Sequence, residues 1–136
     1  MNIKLHHISL TSRNPSVLKK FYINIFKFKV VHTFKSKKGQ TYGYFLYISK
    51  GNFLEILKSN KIKKNDNKNF HFCFIVKKDF KKIYNICSKK NILFKKMLPI
   101  RGRTDNTLHF RIVDPENNIC EIHLNDKQNK LYKYNN

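Results

Sequence analysis

The chain has 136 residues, 29 of them basic and eight acidic, with a formal net charge of +21. That length suits one domain with a real core and little room for a second. Twelve Phe and seven Tyr among dispersed aliphatics exclude a disordered chain. No uncharged apolar run approaches the ~18 residues of a membrane span, and the patterned N-terminus lacks a signal-peptide core.

The first alternating stretch, Lys4–Thr11, predicts a strand. Asn14-Pro15 supplies an N-cap and a first-turn proline, and a helix runs to Phe26 with Leu18, Phe21, Tyr22 and Ile25 on one face. Strands are expected at Lys29–Phe34, Thr41–Ser49 and Phe53–Leu57, separated by turns at Lys37-Lys38-Gly39 and Lys50-Gly51-Asn52. The polar stretch 58–69 reads as a linker. The pattern then restarts with a strand at Phe70–Val76. A helix over Phe80–Lys90 follows, capped by Asp79, with Phe80, Ile83, Tyr84 and Cys87 on one face and Asn91 at its end. Strands at Ile92–Met97, Thr107–Val113 and Ile119–Asn125 follow, with a loop at Arg101–Asn106. Residues 127–136 are expected to form a flexible tail. The chain therefore reads as a single domain, 1–126, made of β-α-β-β-β (about 3–58), the linker, and β-α-β-β-β again (about 70–125).

The charge does not point to nucleic acid. All basic residues except Arg13, Arg101, Arg103 and Arg111 are Lys, scattered among Asn, Ile and Phe without a patch or stripe. Such a bias is what an AT-rich genome leaves on solvated surfaces. It remains compatible with a positive field that draws in an anionic small substrate. Three cysteines, Cys73, Cys87 and Cys120, without CxxC spacing indicate reduced thiols and a cytoplasmic protein rather than a disulfide framework.

Certain polar residues interrupt the expected strands. His7 lies opposite in parity to Ile8 and Leu10, Glu55 to Leu54 and Ile56, His71 to Phe72 and Phe74, and Glu121 to Cys120 and Ile122. His7 to His71 spans 64 residues and Glu55 to Glu121 spans 66, close to the module offset. A lone strand His is commonly structural and a lone Glu solvated. Four residues agreeing in parity and repeat position instead point to a mixed N/O site for a divalent metal. Arg111 and His109 share the non-core face of the seventh strand, and His123 and Cys73 share the faces of Glu121 and His71. His6 and His32 read as structural or solvent-facing.

Residues 3–125 resemble the vicinal oxygen chelate superfamily (glyoxalase/bleomycin resistance/dioxygenase). The likeness lies in Leu5-His-His-Ile-Ser-Leu10, Phe21-Tyr22 with Phe26-Lys-Phe28, Phe53-Leu-Glu-Ile-Leu57, Phe70-His-Phe72 and Asp114-Pro-Glu-Asn-Asn-Ile-Cys-Glu121. It implies an α+β fold in which two βαβββ modules form an open eight-stranded barrel-like sheet around a metal cavity, with helices outside. It also implies a glyoxalase I-like lyase or isomerase with His7, Glu55, His71 and Glu121 as ligands of one divalent ion, Ni²⁺ or Zn²⁺ first and Co²⁺ or Mn²⁺ next. The substrate so implied is a methylglyoxal–thiol hemithioacetal, isomerised to a 2-hydroxyacyl thioester through an enediolate, with Glu55 or Glu121 as base. Arg111 is then an anchor for a substrate carboxylate, with His109 and His123 lining the cavity, and a homodimer is a further expectation. The alternatives are a thiol transferase, epimerase or dioxygenase of the same superfamily, or a metal-free sequestering protein. Two departures stand out: Lys27 replaces the usual turn glycine, and Asp-Pro-Glu-Asn replaces Asp-Pro-Asp-Gly.

Overall fold

The computed structural model describes residue 1, residues 3–61 and residues 71–134. Among these residues eight strands fall into two four-stranded mixed sheets, with order β1-β4-β3-β2 in the first and β5-β8-β7-β6 in the second. The chain divides correspondingly into two compact units, Met1–Lys64 and Asn65–Asn136.

The first unit contains β1 (His7–Ser12), α1 (Pro15–Phe26), β2 (Lys29–Lys35), β3 (Thr41–Ser49) and β4 (Asn52–Lys58). Asn14 caps α1 by accepting from the Val17 amide at 3.4 Å, with Pro15 at the first position, where its missing N–H costs nothing. Leu18, Tyr22 and Ile25 of α1 are buried with Leu10, Leu46, Leu54 and Ile56 of the sheet. The helix ends at Lys27, held left-handed at φ 61° in the position the superfamily usually gives to glycine. β1 runs parallel to β4, and β4–β3 and β3–β2 are antiparallel. Gly43 of β3 is needed for close packing, because a Cβ there would stand 2.5 Å from the Ile56 carbonyl oxygen.

The second unit repeats the order with β5 (His71–Val76), α2 (Phe80–Lys89), β6 (Ile100–Arg101), β7 (Leu108–Val113) and β8 (Ile119–Leu124). Phe80, Ile83 and Cys87 of α2 are buried with Phe72, Phe74, Phe110, Ile112, Cys120 and Ile122. Asn91 takes the left-handed conformation expected after the helix, at φ 53°. Asp79 does not cap α2 with its side chain. It sits left-handed at φ 63°, and its carboxylate lies 3.9 Å from Lys82 Nζ instead.

The strand expected at Ile92–Met97 is not formed. Leu93 makes a single bridge to Ile112, and Phe94–Lys96 turn as a 3-10 helix with Lys95 and Lys96 at positive φ. Three apolar residues in a row followed by two lysines have no period-2 alternation to hold a half-buried strand. Pairing resumes at Ile100–Arg101, the second of which reads from sequence as the start of a loop. The Asp114-Pro-Glu-Asn turn is built as the sequence suggests. Asp114 accepts from the Glu116 and Asn118 amides at 2.9 and 2.8 Å, and Asn117 carries φ 63°.

Residues 127–134 do not trail away as a free tail. Arg101 grips Asp126 through both terminal nitrogens (3.3 and 2.6 Å), the Lys130 amide bonds the Asp105 carbonyl at 2.9 Å, and Asn129 is buried. The linker at 58–69 falls mostly outside the described residues; at its start the Ser59 amide bonds the Ser12 carbonyl at 3.0 Å. No helix among the described residues is long and apolar enough to cross a membrane.

Candidate metal centre

In the first sheet, strand parity sends Leu54 and Ile56 under α1 and Glu55 to the opposite face, where its side chain is 17% exposed. His7 lies on the neighbouring parallel strand, with Nε2 3.9 Å from Glu55 Oε2. Its Nδ1 is 2.8 Å from His6 Nδ1, so His6 fixes the ring with Nε2 turned to the carboxylate. Phe45 is the cross-strand partner of Glu55 on β3 and packs edge-on to His7 with centroids 5.6 Å apart. Phe53 and Phe34 flank Phe45 at 5.9 and 5.1 Å. The frame of this half is aromatic. His32 stacks edge-on to Phe34 and stands apart from the pair.

The second sheet repeats the pair in a different setting. His71 Nε2 stands 3.7 Å from Glu121 Oε2, and Glu121 is 6% exposed. Arg111 is the cross-strand partner of Glu121 and donates Nε to Oε2, while His123, two residues along β8, meets Oε1 through Nε2. Cys73 is the partner of Glu121 on the parallel side, and Cys73 Sγ, Glu121 and His123 have ligand atoms within 4.8 Å of one another. His109 faces His123 with centroids 5.6 Å apart and is held by the Thr107 carbonyl at 3.1 Å. Burial pushes the Glu121 pKa up. Hydrogen bonds from His123 and Arg111, then the charges of Arg111 and His109, outweigh it and bring the pKa from 4.5 down to about 2. Burial, then the Glu121 charge, raises the Cys73 thiol to about 12.

The residues fit a divalent ion pairwise. Two ligand atoms on one ion, each bonded at ~2.1 Å, lie roughly 3 to 3.5 Å apart. The His7–Glu55 and His71–Glu121 separations of 3.9 and 3.7 Å are slightly wider and are not hydrogen bonds. Each unit thus holds one imidazole and one carboxylate less than 4 Å apart. Of the residues singled out from sequence, His7 meets Glu55, and His71, Arg111, His123 and Cys73 gather on Glu121. Arg111 spends its Nε on Glu121, which the sequence pattern did not reveal. His6 and the Phe34, Phe45 and Phe53 frame were also missed, although the alternation of Phe45 with buried Leu46 carried the signal.

Comparison with known proteins agrees with this architecture. Residues 4–122 match the model of the glyoxalase/bleomycin resistance protein/dioxygenase superfamily. The chain belongs to that superfamily. It is similar to the fosfomycin resistance protein FosX of Listeria monocytogenes (15% identity, 96% of this chain and 100% of that one, TM-score 0.73). A variant of that protein complexed with Mn(II) and 1S,2S-dihydroxypropylphosphonic acid is similar at 19% identity, covering 90% and 93% of the two chains with TM-score 0.67. A glyoxalase/dioxygenase of Nostoc punctiforme (16%, 89% and 90%, 0.69) and the oxidase ChaP-H2 (17%, 96% and 99%, 0.71) share the fold. No curated protein sequence matches.

Proposed function

We propose that the chain is a metal-dependent enzyme acting on a small molecule. Within that class we infer a glyoxalase I-like lyase or isomerase that converts the hemithioacetal of methylglyoxal and glutathione, or another thiol, to a 2-hydroxyacyl thioester. The observation that carries the reading is the repetition of one His–Glu pair, 3.9 and 3.7 Å apart, at equivalent register in both sheets.

In this reading His7, Glu55, His71 and Glu121 are the ligands of one divalent ion. Their His₂Glu₂ donor set suits Ni²⁺, Zn²⁺, Co²⁺ or Mn²⁺, and the Mn(II) complex of the Listeria variant supports a divalent ion. The ion supplies positive charge where the substrate oxygens become negative. Glu121, tied down by Arg111 and His123, serves as a fixed ligand. Glu55 faces Phe45, and no Lys or Arg among the described residues forms an ion pair with it, so it is the carboxylate with freedom to take the C1 proton and return it to C2. His6 orients His7, and Phe45, flanked by Phe34 and Phe53, stands beside the carboxylate. The remaining guanidinium nitrogens of Arg111 are offered to a substrate carboxylate, with His109 and His123 beside them. A cytoplasmic location and a homodimer belong to the same proposal.

Metal-loaded protein is expected to form the thioester from methylglyoxal and glutathione, followed by its ultraviolet absorbance. Glu55→Gln should lower kcat by about 10²- to 10⁴-fold, the range of a general base. Full activity in both Glu55→Gln and Glu121→Gln overturns the mechanism.

The likeness to the fosfomycin resistance protein and its phosphonate complex favours a second reading, in which the same ligands serve a reaction on a small anionic phosphonate. Thiol transfer, epimerisation and dioxygenation belong to that alternative. Turnover of a phosphonate in place of methylglyoxal separates the two, and protein purified without chelator that carries no ion points to sequestration instead.

A further inference from the structure

We infer that Cys73, His123 and Glu121 form a second cation site, specific for a thiophilic divalent ion such as Zn²⁺, Cd²⁺ or Co²⁺. The site lies wholly in the second unit, so it stands whichever reaction the chain performs. Cys73 and Glu121 are partners on the parallel strands β5 and β8, and His123 is two residues further along β8 on the same face. Sγ, the imidazole nitrogen and a carboxylate oxygen lie within 4.8 Å of one another, close enough for small side-chain rotations to bring them onto one ion.

Glu121 is two-sided. Oε2 faces His71 and takes Arg111 Nε, whereas Oε1 faces His123 Nε2. An ion on the Oε1 side would take the place of the His123 Nε2–Oε1 hydrogen bond, with Cys73 bound as the thiolate. That leaves a three-ligand set with one open position, the pattern of an accessible zinc site.

The charge balance selects the ion. Arg111 already compensates Glu121 and this set has no second carboxylate, so a hard cation finds little net negative charge on the Oε1 side, and the binding has to come from the thiolate. Among the described residues the first unit has no counterpart. Ser9 pairs with Glu55 where Cys73 pairs with Glu121, and Leu57 stands where His123 does. Cys87 and Cys120 are fully buried in the core and cannot serve.

Two measurements on the full chain decide. Cobalt-loaded protein should show a near-ultraviolet thiolate-to-cobalt charge-transfer band that vanishes in Cys73→Ser and persists in Glu55→Gln. Bound cobalt without the band in the unsubstituted protein, or a band that survives Cys73→Ser, overturns the site. Independently of any variant, Zn²⁺ added beyond one equivalent, to protein whose His₂Glu₂ ligands are already filled by Mn²⁺, should slow alkylation of Cys73, mapped by mass spectrometry, at least tenfold, while the same excess of Mn²⁺ leaves the rate unchanged. Equal alkylation with and without that excess of Zn²⁺ refutes the inference.

Discussion

Arg111 stands directly across β7–β8 from Glu121 and donates Nε to its carboxylate, whereas Phe45 occupies the same place across β3–β4 from Glu55. Two acids in equivalent positions therefore live in different fields. One is neutralised and fixed, the other framed by rings.

Replacing Arg111 with Met tests the first half of that contrast in metal-free protein. Glu121 is depressed from 4.5 to about 2, so its stabilisation is fully present above pH 4.5 and is lost as pH falls towards about 2. Without Arg111, burial is opposed mainly by His123, and the window of acid loss moves upward. Stability at neutral pH should fall by about 1–3 kcal/mol, the cost of a buried acceptor losing a charged partner. Urea unfolding across acidic pH measures both shifts, and an unchanged acid limb contradicts the assignment.

Chelation gives a prediction for the metal. Dialysis against EDTA should abolish turnover, and titration with Ni²⁺, Zn²⁺, Co²⁺ and Mn²⁺ should restore it with different maxima, because His₂Glu₂ donors accept all four. Activity that survives complete metal removal contradicts the proposed site.

Lys27 supplies a backbone prediction. At φ 61° it sits where only glycine is unstrained, so Lys27→Gly should stabilise the protein by about 1 kcal/mol. For a chain of this size that raises Tm by about 3–5 °C, read by scanning calorimetry. A lower Tm shows that the Lys27 Nζ contact with the Asn24 carbonyl at 3.2 Å matters more than the backbone.

Gly43→Ala should act in the opposite sense. Its Cβ meets the Ile56 carbonyl oxygen at 2.5 Å and Leu57 Cδ2 at 2.9 Å, with strand backbone on one side. The expected loss is about 1–3 kcal/mol, together with weaker metal binding, since β4 carries Glu55 two residues before Leu57. A neutral thermal midpoint counts against so tight a β3–β4 approach.

The duplicated order, both helix faces and the parity of His7, Glu55, His71 and Glu121 were legible because each follows a local period. The hydrogen bond from Arg111 to Glu121 was not. Arg111 lies ten residues upstream on another strand, and only the β7–β8 register brings its Nε to the carboxylate. The run from Ile92 to Met97 looked like a strand by composition, but it lacked alternation and carried Lys95-Lys96, so tertiary pairing skipped to Ile100. Asp79 has the residue type of a cap, yet its left-handed backbone sends the carboxylate to Lys82, which residue identity alone does not disclose.

The clasp between Arg101 and Asp126 gives the last part of the chain a job in shaping what precedes β7. Arg101 also bonds the Asn106 carbonyl at 2.8 Å, two residues before β7 begins, and Lys130 reaches the Thr104 carbonyl at 2.7 Å. A chain cut after Asn125 would keep all eight strands and every proposed ligand, yet lose the brace on the segment that delivers Arg111. A shortened expression product could thus look folded while presenting a misaligned guanidinium to Glu121.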